Sequence, residues 1–177
     1  MTLSKRTSLL ALTIATATTL TVSLSGHELE ERAVAQSPNA EHSLIGAWLT
    51  RIRPRNCQTG EILPVPPSLA RAFGLFTVHQ GGTASEYGIG PGQTPATRSP
   101  GHGVWQREPG WNHYSYAFTF TRYDATGLFV GSTRVRSVLV LDAGDDGFAA
   151  NSAVEVLDAD GNVTQTACTT VTGTRFE

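Results

Sequence analysis

Cysteine, methionine and lysine are scarce in this chain of 177 residues, which contains two cysteines, one methionine and a single lysine, Lys5. The two cysteines do not form a C-x-x-C pair, which excludes a thioredoxin-like redox site and a zinc site built from cysteines. The sequence also has no G-x-S-x-G and no H-E-x-x-H motif, the patterns of a hydrolase nucleophile elbow and of a zinc-protease helix. No short motif therefore assigns a catalytic reaction.

An excess of positive charge is absent as well. After Gln36 the chain carries ten arginines and twelve acidic residues. A basic surface of the kind that binds nucleic acid or anionic membranes is therefore not expected, which excludes nucleic acid as a predicted partner. The permanently positive side chains after Gln36 are all arginines, because this part of the chain has no lysine.

The N-terminal residues 1–35 have the pattern of a secretory signal peptide and leader. A basic start precedes an uncharged, threonine-rich apolar run, Ser8–Leu24, and Ala33-Val34-Ala35 fits the small-residue rule for cleavage. Charges just before this site make cleavage near Ser25 an alternative. A retained anchor is a third interpretation, although the run is short for a membrane span. The pattern predicts a secreted or periplasmic protein with no stable membrane association after cleavage.

The rest of the chain alternates polar and apolar residues with period two, which is typical of β-strands. Residues 36–43 are predicted to be a loose polar arm, and residues 44–177 to form one domain. Pro54 is expected to end the first strand, and the glycine- and proline-rich segment 88–102 to be a loop. The eight predicted strands are Trp48–Arg53, Ala72–His79, Thr83–Tyr87, Gly103–Arg107, Asn112–Tyr123, Leu128–Leu141, Phe148–Leu157 and Asn162–Thr172.

The two ends of this domain indicate how the strands are arranged. Short turns join most of the predicted strands, which favours an antiparallel meander. Trp48 at the start of the first strand and Arg175 after the last can meet only if these two strands are neighbours. The sequence therefore predicts an all-β domain, a single eight-stranded antiparallel up-and-down barrel with an interior.

Gly46-x-Trp48 together with the late Arg175 resembles the signature of the lipocalins and the wider calycin group. The resemblance implies a barrel whose floor is closed by Trp48 packed against Arg175. A second set of segments resembles a group of small exported bacterial proteins of unassigned function, and it implies no activity. These segments are Cys57–Gly60, Gly81–Thr83, Arg98–Trp105 and Gly173–Phe176.

Cys57 and Cys168 lie in the part of the chain after the leader. An exported chain with an even number of cysteines is expected to form disulfides, so a Cys57–Cys168 bond is predicted. It would tie the segment after the first strand to the last strand, in agreement with a closed barrel. Two buried free thiols are the alternative.

The fifth predicted strand carries four aromatic residues on one face, Tyr114, Tyr116, Phe118 and Phe120. If this face points inward, the rings line the interior of the barrel. A lined pocket suits an apolar or aromatic ligand held by a few polar groups. A solidly packed core is the alternative.

Charged side chains complete the candidate ligand site. Arg134 and Arg136 share one face of the sixth strand, which is either solvated or points inward with a carboxylate, from Glu155 or from a ligand, as counterion. Arg98 and His102 either contact a polar ligand at the mouth of the barrel or belong to a structural turn. The predicted ligand-binding residues are His79, Tyr114, Tyr116, Phe118, Arg134, Arg136 and Glu155.

Neither a metal nor a cofactor is predicted, because the histidines after the leader lack the spacing of metal ligands. Three functions stay open. The first is a secreted, lipocalin-like protein that binds a small apolar or aromatic molecule, with its oligomeric state undetermined. The second is a barrel enzyme of the cyclase or isomerase type, which the calycin resemblance allows and for which Tyr116, His79, Glu86 and Arg134 are candidates. The third is a filled barrel that binds a protein partner through its loops.

Overall fold

The computed structural model describes residues 43–70, 73–90 and 93–176. The predicted leader lies outside these ranges, as does the predicted arm except for Ser43. Apart from a short helix, α1 (Pro67–Ala70), and a 3₁₀ turn at Pro95–Thr97, the regular structure in the described ranges is β-sheet. The strands are β1 (Gly46–Arg55), β2 (Gly74–Val78), β3 (Thr83–Tyr87), β4 (Gly101–Arg107), β5 (His113–Tyr123), β6 (Phe129–Leu141), β7 (Gly147–Leu157) and β8 (Val163–Arg175). No helix in the described ranges is long and apolar enough to cross a membrane.

Each strand pairs antiparallel with the next, and β8 returns to pair with β1. The β1–β8 ladder runs from Trp48 opposite Arg175 to Arg55 opposite Cys168. The prediction of an all-β domain with eight antiparallel strands closed into a barrel is confirmed. Closure leaves neither β1 nor β8 as a free edge, which removes the site at which another chain could add a strand.

Arg175 closes the end of the barrel at which β1 begins. Its guanidinium carbon lies over the Trp48 ring, 4.2 Å from the ring centroid. Its two terminal nitrogens donate to the backbone carbonyls of Ile45 and Ser43 at 3.0 and 2.9 Å. Gly46 has φ of +139°, and a Cβ there would lie only 2.7 Å from Arg175 Nη1. The glycine of the G-x-W motif therefore leaves room for the guanidinium.

Trp48 belongs to a cluster of buried side chains that fills this closed end and reaches the middle of the barrel. Phe148 meets the Trp48 ring edge-on, with 5.0 Å between centroids. Gly173 lies opposite Phe148 in the ladder, and any Cβ there would overlap the Phe148 ring. The buried members of the cluster are Leu44, Trp48, Phe76, Val78, Ala84, Tyr114, Tyr116, Leu139, Leu141, Phe148, Ala150 and Val171.

The prediction that Pro54 ends the first strand is wrong, because β1 continues to Arg55 and Pro54 pairs with Thr169. The Pro54 carbonyl accepts from the backbone N–H of Leu63 at 2.8 Å, on the side away from β8. In a strand the N–H and the C=O of one residue point to the same side. The missing N–H of proline therefore faces this connection, and the β1–β8 ladder loses no bond.

Cys57 and Cys168 form a disulfide, with their Cα atoms 5.3 Å apart, as predicted. The bond joins the connection after β1 to β8 near the end opposite Trp48. It links residues 111 positions apart in the sequence. Both ends of the β1–β8 seam are therefore fixed by side chains, one by Arg175 over Trp48 and the other by the disulfide.

Candidate functional site

The barrel is hollow beyond its packed end, where the interior contains a cavity of about 410 Å³. We call this cavity the lumen. Its wall runs from Phe76 and Tyr116 in the core to Gln93 and Gln165 near the opposite end. Its volume lies in the lower part of the range of about 300–1,000 Å³ that is typical of small-molecule sites. The lumen therefore has room for one small organic molecule.

Aromatic rings from β5 form one wall of the lumen. Tyr116, Phe118 and Phe120 are two residues apart, so their side chains point to the same face of the strand. Successive ring centroids are 6.2 and 6.5 Å apart, and the planes of the first two rings differ by 11°. Phe76 extends this wall from β2, with its centroid 4.8 Å from that of Tyr116. Such a wall offers flat apolar area to a ligand.

Aliphatic side chains from other strands line the rest of the apolar surface, and neutral polar groups are placed among them. The aliphatic residues include Val135 on β6, Val154 and Val156 on β7, and Val171 on β8. Hydroxyl and amide groups come from Thr50, Gln93, Thr133, Ser152, Gln165 and Thr169. A mostly apolar lining with a few polar groups is the usual composition of a ligand pocket.

Glu86 and Arg98 form a buried ion pair in the wall of the lumen. Arg98 Nη2 donates to Glu86 Oε2 at 2.6 Å, and the Arg98 and Glu86 side chains are 3% and 7% exposed. Arg98 also donates through Nε to the Ser99 carbonyl at 3.0 Å and through Nη1 to the Gly88 carbonyl. Its guanidinium carbon lies 3.7 Å from the centroid of Phe120, a cation–π arrangement. These contacts hold the pair in one orientation.

Burial shifts the pKa of two groups in the lumen. Desolvation raises the pKa of Glu86 above its usual value of 4.5, while the positive charge and the hydrogen bond of Arg98 oppose the shift. Desolvation also raises the pKa of the Tyr116 phenol, against hydrogen bonds with Ser137 and Ser152. Because the usual pKa of tyrosine is already 10.0, Tyr116 is a neutral phenol at neutral pH.

Some of the predicted ligand-binding residues lie in or beside the lumen. Tyr116 and Phe118 line it. Tyr114, two residues earlier on the same face of β5, is buried in the core cluster at the closed end. The aromatic face of β5 therefore points inward, and it contributes to the packed core at one end and to the cavity wall at the other.

The remaining predicted residues lie outside the lumen. Arg134 and Arg136 are on the outer face of the barrel, where both bond to Glu155 Oε2 at 3.3 and 2.9 Å. The solvated alternative for these arginines therefore describes their position, and Glu155 is their counterion there. His79 is exposed beside the β2–β3 turn at the closed end, and its Nε2 lies 3.2 Å from Ser85 Oγ.

The sequence offers Arg98 as a candidate at the mouth of the barrel and Glu86 as an enzyme candidate, but no sequence pattern pairs the two side chains. One sequence signal does indicate that Glu86 points inward. It follows Ala84 by two residues in β3, so the two side chains lie on the same, inward face of the strand. Glu86 and Arg98 are twelve positions apart in the sequence. The predicted loop between them has no strand pairing that would place the two side chains next to each other.

A second depression, of about 630 Å³, lies on the outer wall of the barrel. Val104, Ala117, Arg136 and Val138 are among the residues that line it. A molecule held there would keep one side in water, because Val104 and Val138 are largely exposed. The lumen, which surrounds a ligand with side chains from several strands, is therefore the stronger candidate site.

Comparison with models of known protein families, with curated proteins and with solved structures finds no match to this chain. Within residues 43–70, 73–90 and 93–176, no group of three or more histidine, cysteine, aspartate or glutamate side chains is arranged to hold a metal ion.

Proposed function

We propose that this protein binds one small, mostly apolar molecule in the lumen of its barrel, in the manner of a lipocalin. The observation that carries the proposal is the 410 Å³ cavity with an aromatic wall and a buried ion pair. The packed core beneath it gives the site a rigid floor. The interior volume also speaks against a filled barrel that acts only through its loops.

The same proposal places the protein outside the cytoplasm, secreted or in a periplasm. The Cys57–Cys168 disulfide is compatible with an oxidising compartment. The signal-peptide pattern of residues 1–35 supports the same location.

The test is a calorimetric titration of the purified protein with naphthylmethanol, a neutral probe with a flat apolar body. Ala167 lines the lumen, so Ala167→Phe should fill part of it and weaken binding about tenfold or more, equivalent to ~1.4 kcal/mol or more. Ala149→Phe is the matched control, because Ala149 is exposed on the outer face of β7. Loss of binding in the Ala167 variant alone supports the proposal. Equal affinity in all three proteins, or no binding by the wild type, contradicts it.

A barrel enzyme is the second candidate, and the raised pKa of Glu86 in a cavity favours it. Such an acid could transfer a proton to a substrate enclosed in the lumen. Mass spectrometry of molecules that co-purify with wild type and with Glu86→Gln separates the two functions. A binding protein should return the compound released from the variant unchanged after incubation with wild type, whereas an enzyme should convert that compound, its substrate, to a product.

A further inference from the structure

One ion pair sets the charge of the lumen. Among the described residues that line the cavity, Glu86 and Arg98 are the charged ones, and they bond to each other at 2.6 Å. The remaining polar lining consists of hydroxyl, phenol and amide side chains. The lumen therefore has no net charge when Glu86 is ionised, and a charged ligand would enter it without a counterion.

The Arg98 guanidinium already has partners in the protein, so it does not supply that counterion. Its fork of donors contacts Glu86, the Ser99 carbonyl and the Gly88 carbonyl, and its face lies on Phe120. A ligand carboxylate that took the guanidinium in the usual two-point manner would have to displace Glu86. Glu86 would then be left buried without its partner, which is strongly unfavourable.

An uncharged polar group meets no such penalty. A carboxylate has room for about four hydrogen bonds, and Arg98 supplies one of those made by Glu86. A hydroxyl or an amide N–H of a ligand can donate to Glu86 without altering the charge balance. The neutral hydroxyl and amide side chains elsewhere in the lining suit the same kind of group.

We propose that the lumen selects molecules with an apolar body and an uncharged, hydrogen-bond-donating end, an alcohol or an amide, and rejects the matching carboxylate and ammonium ions. This selectivity depends on the proposed function, because it requires that the ligand enter the lumen. Glu86 and Arg98 then act together as the specificity-determining pair.

The experiment compares three probes that share one body, naphthylmethanol, naphthoate and naphthylmethylammonium, by calorimetric titration at neutral pH. The alcohol should bind about tenfold or more tightly than either ion, because the ions are desolvated without a partner. Naphthoate or the ammonium ion binding as tightly as the alcohol overturns the proposed selectivity and leaves the proposed function standing. Failure of all three probes to bind overturns both.

Glu86→Gln provides the decisive variant, because it leaves Arg98 as an uncompensated positive charge while keeping the size of the side chain. The ratio of naphthoate affinity to alcohol affinity should then rise about tenfold or more. Glu155→Gln, on the outer wall, is the matched control and should leave the ratio unchanged. A purely structural role for Glu86 would weaken all probes together, so an unchanged ratio in the folded Glu86 variant overturns the assignment. If that variant does not fold, the comparison of the three probes with the wild type still tests the selectivity itself.

Discussion

Glu86 and Glu155 both pair with arginine, but on opposite sides of the barrel wall. Inside, Glu86 meets Arg98 at 2.6 Å, and both side chains are almost fully buried. Outside, Glu155 Oε2 is shared by Arg136 and Arg134, with 30% of the Glu155 side chain and 55% and 42% of the two arginines exposed. The same two residue types therefore pair once in the protein interior and once in contact with water.

Residue type alone therefore does not locate a site. In water the attraction between the outer charges is screened, and such pairs contribute little. In the lumen each charge has lost most of its water, so each depends on the other. The inner pair is therefore strongly coupled to folding and, in our proposal, to ligand selection, while the outer group is a solvated surface cluster.

The largest predicted effect comes from removing one arginine from each pair. Arg98→Met should destabilise the protein by about 3–5 kcal/mol, because Glu86 is left buried without a partner. Arg136→Met should change the free energy of unfolding by about 0–1 kcal/mol. Urea denaturation followed by tryptophan fluorescence measures both. Equal losses for the two variants would contradict the distinction between the inner and outer pairs.

A smaller effect is expected in the pH dependence of stability. Because burial holds the pKa of Glu86 above 4.5 in the folded protein, the folded state takes up this proton before the unfolded chain does as the pH falls. Wild type should therefore gain stability relative to Glu86→Gln as the pH decreases through the raised pKa, and the difference should be constant above it.

Urea denaturation at a series of pH values checks this sign. Comparing the two proteins cancels carboxyl groups common to both, including Asp124 and Asp158, whose pKa values are lowered mainly by hydrogen bonds in their turns. A difference that grows in favour of Glu86→Gln on acidification would show that the pKa of Glu86 is lowered, contrary to the account.

The smallest effect concerns salt. The change in unfolding free energy caused by Glu155→Gln should be about 0.5 kcal/mol at low ionic strength and should shrink towards zero in concentrated sodium chloride. The effect of Arg98→Met should persist at high salt, because its partner is shielded from ions. Denaturation of both variants at two salt concentrations tests this contrast, and a salt-insensitive Glu155→Gln effect would refute it.

Much of the fold was predictable because the residues that determine it act locally or at the chain ends. Period-two alternation identified all eight strands, and Trp48 and Arg175 indicated that the first and last strands are neighbours. Two cysteines allowed one intramolecular pairing. The prediction for Pro54 was wrong, because the effect of this proline depends on which side of β1 its missing N–H faces. That side is a property of the assembled sheet.

Less of the candidate site than of the fold could be predicted from the sequence. The aromatic face of β5 was found as a candidate, but nothing local showed where packed core gives way to cavity between Tyr114 and Phe118. The direction of Arg134 and Arg136 was left open and is set by the barrel. Pairing of Glu86 with Arg98 depends on where the connection between β3 and β4 places Arg98, whose guanidinium lies over Phe120, and no periodic pattern encodes that placement.

The most direct test of the central claim, that a hollow lumen receives a small neutral molecule, is a methyl NMR titration with naphthylmethanol. The protein carries two comparable sets of valines, with Val135, Val154 and Val156 lining the lumen and Val104, Val138 and Val140 exposed outside. We expect shifts and probe contacts at the first set and none at the second. Shifts confined to the outer valines, or to neither set, would contradict it.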